Sequence, residues 1–342
     1  MNVTYPEPIN SKSSAIRKFL SEFLFWSTAL ILILIAGLRP VGLDRDSTAY
    51  ATFIQSVTEV NFLDKEPAFW LIKWFNDVLF HGNIHTFFLI FAALGVSIKF
   101  LAIKRLSKLP WLSVIAYLSI YFILHEMTQI RVGVAAGIFL LSIPDIYNRN
   151  FKRFIIKALL ASLFHYSAII MVPLYFLNPR KISIIYLLLP ITGLLFAYFN
   201  LSEMLLTNFV GVLPEFLAYK IRTYLSLLKL GEHSKINILN FYYSSLLVVL
   251  YFGLFCYVMN KIKFTYDILF IKILGIMLFM FYFFSPLPVF AFRISEFFGV
   301  ISIILLPNLV LYFKQKEILL LLIISHFVYY FSKTIRLLNL NM

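Results

Sequence analysis

Residues 19–50 read FLSEFLFWSTALILILIAGLRPVGLDRDSTAY. The stretch from 19 to 38 is apolar over a length that crosses a bilayer as a single helix. Immediately after it, Arg39, Asp44, Arg45 and Asp46 crowd together in a chain of which only 13% is charged. No small-residue cleavage site follows the run, as one would after a secretory signal, so it reads as a retained first span. The charges at its mouth are then the first candidate for chemistry.

The same pattern extends along the chain. Of 342 residues 61% are hydrophobic and 18% aromatic, and the mean hydropathy is +0.88. Soluble domains are about half apolar and a quarter charged, so the composition specifies an integral membrane protein. Recurring apolar runs of helical length exclude a barrel. One cysteine, Cys256, sits inside an apolar run, which excludes a disulfide framework and a cysteine metal site. A net charge of +14 would suggest nucleic acid in a soluble protein. Here the cations cluster between spans, at Lys12/Arg17/Lys18, Lys104/Arg105/Lys108, Arg149/Lys152/Arg153, Lys261/Lys263 and Lys314/Lys316, as loop anchors do.

Candidate spans are 19–38, 84–103, 111–126, 130–147, 154–176, 182–200, 203–217, 236–259, 266–284, 294–313 and 318–333. The expected fold is therefore all-α, a single transmembrane domain over 1–342 with about eleven transmembrane helices. From a cytoplasmic N-terminus, this parity puts all five basic clusters inside. Residues 39–83 carry two amphipathic stretches, AYATFIQSVTEVNFL and EPAFWLIKWFNDVLF, expected to lie at the outer interface. Residues 218–235 form a second outer loop, expected with 39–83 to cover an active site. In a third segment, SPLPVFAFR at 285–293, two prolines exclude an uninterrupted helix.

Several constellations carry candidate chemistry. Asp44 and Asp46 form a DxD pair, which can hold a divalent cation, act as a general base, or simply pair with Arg39 and Arg45 in a solvated loop. Arg131 and Arg293 each stand where a helix enters the membrane from the outer side. Arginine there either snorkels to headgroups or, with Arg39, gives the bidentate recognition that a pyrophosphate requires. Glu296, on the helical face of Arg293, can orient it. His165 lies near the middle of the predicted span 154–176, a depth at which ionisable groups face polar cavities or are held by hydrogen bonds. His125 and Glu126 lie at the outer rim. Tyr219, Lys220, Arg222 and Tyr224 read either as a basic, aromatic lid over an anionic sugar-bearing ligand or as an interfacial belt. There is no P-loop, GxGxxG, HExxH or GxSxG, so neither nucleotide energy nor hydrolase chemistry is supported.

The pattern Arg39-x-x-Gly42-x-Asp44-x-Asp46-x-x-x-Tyr50 resembles the first-loop signature of EpsG-type, Wzy-like polysaccharide polymerases. So do Glu66-Pro67 opening an amphipathic helix, IRVGVAAGI from Arg131, and YNRNFKRF followed by a helix with Phe164-His165-Tyr166-Ser167. YKIRTY and FRISEFF are similar as well. The resemblance covers most of the chain in the family's order, although many members carry a single aspartate after the glycine.

What it implies is a bacterial inner-membrane glycosyltransferase, related to those using lipid-phosphate donors, with its site on the periplasmic side. The growing glycan would pass from undecaprenyl pyrophosphate to a hydroxyl of the next lipid-linked unit, for O-antigen, capsule or exopolysaccharide. Expected partners are the lipid-linked donor and acceptor, membrane lipids and a chain-length regulator, with no nucleic acid. No cofactor is expected, although Asp44 and Asp46 leave room for a cation. Asp46 or His165 would serve as base, with Asp44 beside them and Arg39, Arg131 and Arg293 as the phosphate clamp. The alternatives are a flippase for lipid-linked oligosaccharide, which should line a path through the membrane with charge, and a ligase sharing donor and topology.

Overall fold

A computed structural model describes residues 10–56, 60–62, 64–213, 215–230, 236–313 and 316–338. Lys314, residues 231–235 of the second loop and the side chain of Lys12 lie outside the described residues. Regular structure among the described residues is helical, and one isolated bridge joins Asp44 to Leu338.

The bundle has two chemically distinct ends. α1 (Asn10–Gly37) rises from the basic end to the site end, where α2 (Ser47–Gln55) and α3 (Pro67–Phe80) lie in the first loop. α3 starts with Pro67 at its first position, where the missing N–H costs nothing, and stops at His81 and Gly82, whose φ of 52° and 69° are left-handed. Asn83 then caps α4 (Ile84–Leu106), its Oδ1 accepting from the N–H groups of His85 and Thr86 at 2.9 and 3.3 Å. α4 returns alongside α1 to the basic end, where Lys104 pairs with Glu22. α5 (Pro110–Tyr117) continues into a π-helical segment, Leu118–Thr128, and climbs back. α6 (Ile130–Tyr147) descends again.

α4, the π segment and α6 are interlocked inside the bundle. Lys99 pairs with Glu126 and donates to the Gly133 carbonyl at 2.6 Å; both charged side chains are buried. Glycine permits this approach: a Cβ at Gly95 would collide with the Glu126 carboxylate, and one at Gly133 with the His125 carbonyl. His125 and Glu126 are thus core residues and not rim residues.

The expected span 154–176 is not a crossing. α7 (Phe151–Phe164) ends at His165, whose backbone is extended, and the chain returns as a 3₁₀ helix, Tyr166–Phe176. The Tyr175 hydroxyl donates to the Arg149 carbonyl at 2.8 Å, and the Tyr175 ring lies 5.2 Å from that of Phe151. Arms of roughly 21 and 22 Å, from their rises per residue, match in length and make a re-entrant hairpin. His165 is therefore at a tip and not inside a helix.

α8 (Ile185–Tyr198) rises, and at Asn200 the chain bends by 84° into α9 (Leu201–Phe209). That bend removes the expected span 203–217. α10 (Glu215–Lys229) follows at the site end, then α11 (Phe241–Val258) descends and α12 (Asp267–Phe283) rises. α13 (Pro288–Gly299) and α14 (Ser302–Val310) form one descending element bent by 50°. α15 (Lys316–Thr334) rises last, and Leu338 beside Asp44 places this end of the chain at the site end.

Among the described residues six helices are long and apolar enough to cross a membrane, or eight if each bent pair is one crossing; α12, of 17 residues, also runs from one end of the bundle to the other but is just short of that length. The protein is polytopic and all-helical, but eleven crossings do not appear. Because the hairpin turns back, Arg180 and Lys181 join the basic end. In a Cys256→Ser background, cysteines at positions 151 and 181 should label from one side of the membrane and a cysteine at position 45 from the other. Labelling of 151 and 181 from opposite sides would mean that the hairpin crosses.

Candidate functional site

The first loop closes around Arg39. Its Nε donates to Asp44 Oδ2 at 2.7 Å, its other nitrogens donate to the Ala36 and Met127 carbonyls, and the guanidinium lies 3.8 Å from the Phe88 ring centroid. Asp44 Oδ1 accepts from the N–H groups of Asp46 and Ser47, both at 3.1 Å. Gly42, at a φ of 95°, donates to Ser47 Oγ at 2.8 Å. Both Arg39 and Asp44 are buried, at 2% and 1% exposure. The expected clamp and catalytic roles of this pair therefore meet an occupied guanidinium and an occupied carboxylate. The DxD residues do not converge as a ligand pair, because Asp44 turns inward while Asp46 stays half-exposed. Among the described residues, no group of three or more His, Cys, Asp or Glu is arranged to hold a metal.

A second carboxylate forms the centre of the site. Glu66, just ahead of Pro67, is paired through Oε2 with Arg131 at the start of α6. Its Oε1 lies 3.1 Å from Nδ1 of His165 at the hairpin tip. Burial pushes the Glu66 carboxyl up, but the His165 hydrogen bond and the Arg131 charge outweigh it and hold the group down at about 2. Glu66 is thus ionised near neutral pH and only accepts hydrogen bonds. Nδ1 of a neutral His165 must then be the donor, which leaves Nε2 with a lone pair. Nε2 is buried and has no hydrogen-bond partner among the described residues; the same holds for Nε of Arg131.

Asp46, Tyr50 and Lys65 complete this cluster. Tyr50, buried on α2, faces Arg131. Asp46 is half-buried; burial first and the neighbouring Asp44 second raise its carboxyl above the ordinary range, against the charges of Arg131, Arg45 and Lys65. Lys65 is shifted down, by burial first and then by Arg131. Two carboxylates in one loop are therefore driven in opposite directions.

Of the expected site residues, Asp46, Arg131 and His165 come together around Glu66. Arg293 is exposed on α13, and Glu296 does not hold it: Glu296 Oε2 accepts from Gln129 Nε2 at 2.9 Å instead. Gln129 is two residues before Arg131, so this contact joins α13 to the edge of the cluster. Tyr219, Lys220 and Arg222 occupy the exposed face of α10, with Arg222 3.3 Å from Glu215. The opposite face buries Ala218, Ile221 and Leu225, the last two packing with Leu206 and Leu287, and the Tyr224 ring lies 6.3 Å from Phe290. α10 thus packs on α9 and on the start of α13, and the expected lid residues are not brought to the Glu66 cluster. Motif reading does not assign roles to Glu66, Tyr50 or Lys65. The available signal was a carboxylate immediately ahead of a helix-opening proline.

A family model described as the EpsG family matches residues 22–341. The amylovoran biosynthesis protein AmsC of Erwinia amylovora is 26% identical over 187 residues, covering 51% of this chain and 49% of that protein. The chain thus aligns with about half the length of this relative. No solved structure matches.

Two measurements test the geometry. Arg39→Ala should destabilise the purified protein by about 3–5 kcal/mol in thermal melts, because it strands a buried carboxylate, whereas Asp46→Ala should be nearly neutral. An Arg39→Ala protein that melts like its parent would return Arg39 to the substrate. Glu66 has a folded pKa below its unfolded one, so its contribution to stability is complete above the ordinary carboxylate range and is lost as pH falls through about 2. The stability difference between the parent and Glu66→Gln should accordingly be flat near neutrality and shrink on acidification; a difference that grows on acidification contradicts the ionised assignment.

Proposed function

The chain belongs to the EpsG family, and from that premise we propose that it is a polysaccharide polymerase acting at the outer face of a bacterial inner membrane. It transfers the growing glycan from undecaprenyl pyrophosphate to a hydroxyl of the next lipid-linked repeat unit, in exopolysaccharide biosynthesis. The observation that carries this reading is the Glu66–His165 contact, which fixes the imidazole with one nitrogen committed and the other ready to accept a proton. The likeness to a protein named for amylovoran biosynthesis supports the polymer class.

In the proposed step, Nε2 of His165 takes the proton of the acceptor hydroxyl as that oxygen bonds to the anomeric carbon of the donor. The bond from that carbon to the pyrophosphate oxygen breaks, and its electron pair leaves with the pyrophosphate. Glu66 stabilises the imidazolium that forms and keeps the ring oriented, as the carboxylate of a catalytic triad does. Arg131, with an unpartnered Nε, and Lys65 offer positive charge to the leaving group in a partly desolvated setting. Asp46 orients the acceptor sugar through its hydroxyls. Arg293 extends the cationic surface for the second lipid pyrophosphate.

His165→Gln should bind lipid-linked substrate and give no polymer, since glutamine hydrogen-bonds but takes up no proton near neutral pH. Asp46→Asn should retain measurable activity with shortened polymer. Arg293→Ala should reduce polymer without changing membrane abundance, whereas Arg131→Ala, which leaves Glu66 uncompensated, should reduce both. Polymer length is read from purified proteins at matched amounts. Wild-type polymer from His165→Gln removes the base assignment. In a strain lacking the protein, single repeat units on lipid mark a lost polymerase; full polymer on lipid would identify a ligase instead.

A further inference from the structure

The foot of the re-entrant hairpin, at the end of the bundle opposite the Glu66 cluster, contains a buried cation with no counter-ion among the described residues. Lys272, in the second turn of α12, is 1% exposed. Its ammonium donates to the Asn178 carbonyl at 2.5 Å and stands 5.0 Å from the Tyr186 ring centroid. A carbonyl and a ring face are dipolar partners that leave the charge in place. The charge that acts on Lys272 is a second cation, Arg149, which is held at a φ of 56° and braced against Tyr175. Asn178 also folds the following turn back, its Oδ1 accepting from the N–H groups of Arg180 and Lys181 at 2.9 and 3.2 Å.

No aspartate or glutamate occurs between Asp145 and Glu203, and Asp145 is already paired with Lys157 at 2.5 Å. Among the described residues no carboxylate lies within ion-pair distance of Lys272, Arg149 or Arg180. Ionisable groups among membrane helices are costly unless paired. Lys272 of α12 and Arg149 just past α6 thus act on each other at the foot, and exposed Arg180 stands two residues beyond the Asn178 that holds the Lys272 ammonium, a set of cations that lacks only its anion. Scattered surface lysines that merely anchor a loop would each stay in water; here one cation is enclosed.

We propose that this foot binds the phosphate of an anionic phospholipid, with Arg149 and Arg180 as planar donors and Lys272 as the enclosed point charge. The phosphate lies at headgroup depth and the acyl chains run along the outward, apolar face of α7 and its 3₁₀ partner, where Ile156, Leu159 and Leu163 are exposed. The bound lipid ties the hairpin to α12 at the end away from the reaction.

The test uses the full chain, purified in a non-ionic detergent and stripped of lipid. Dioleoylphosphatidylglycerol, dioleoylphosphatidylcholine and inorganic phosphate are each added at matched concentration, and binding is read by native mass spectrometry and by the shift in melting temperature. Phosphatidylglycerol should be retained and raise the melting temperature, phosphatidylcholine much less so, and inorganic phosphate hardly at all. Each cation removed should weaken phosphatidylglycerol binding roughly fivefold. Lys272→Met tests the enclosed charge; because it alters the core and Arg149 also donates to the Tyr175 carbonyl, exposed Arg180→Gln and the double variant Arg149→Gln/Arg180→Gln are each compared with their own lipid-free melting temperature. Equal retention of both lipids, or unchanged binding in the double variant, overturns the proposal. A full shift with inorganic phosphate overturns the lipid assignment and leaves a site for the free anion.

Discussion

The buried guanidinium of Arg39 is the contact on which the site end depends. It holds the end of α1 through the Ala36 carbonyl, the first loop through Asp44, the π segment through the Met127 carbonyl, and α4 through the Phe88 ring. Asp44 in turn fixes the backbone at Asp46 and Ser47, where α2 begins. Met127 is followed by Gln129 and Arg131, so one side chain sets the relative positions of both halves of the Glu66 cluster. Removing one member of such a pair leaves an uncompensated charge in a low-dielectric interior, which is why its contribution to fold specificity exceeds that of any surface ion pair.

From that frame, environment separates the carboxylates. Asp44 is consumed by the fold, Glu66 is held ionised at about 2 by His165 and Arg131 against its burial, and Asp46 is pushed up by burial and by Asp44. Groups of the same chemistry in one loop thereby acquire different duties, as paired carboxylates do in enzymes generally. The lysine–glutamate pair beneath them, Lys99 with Glu126, steadies the first turn of α6 through the Gly133 carbonyl and so steadies Arg131.

Much of the fold was legible as hydropathy. The span 130–147 coincides with α6, and the spans beginning at 84, 236 and 266 start within a few residues of α4, α11 and α12. Hydropathy failed where length misled it: 154–176 is apolar over most of its length, but an apolar run does not reveal that its middle turns back at His165. Likewise 203–217 is apolar enough to cross yet follows a bend of 84°. At the site, the crowded charges of 39–46 were visible, but sequence spacing could not tell an arginine that faces a ligand from one that faces its own aspartate. The role of Glu66 was hidden for a related reason, since its partners Arg131 and His165 are distant in sequence and meet it only in the fold.

The hairpin also makes the site sensitive to how the two ends of the bundle are held relative to each other. Glu66 immediately precedes α3, whose exposed Leu71, Trp74 and Val78 seat it at one water–lipid boundary. His165 stands on arms of roughly 21 Å whose cationic foot lies at the basic end of the bundle. The Glu66–His165 contact thus joins elements rooted at the two ends of the bundle. The position of α3 along the bundle axis is therefore a coordinate of that contact: a shift of α3 away from the hairpin foot draws the imidazole from its carboxylate, and a shift toward it presses them together.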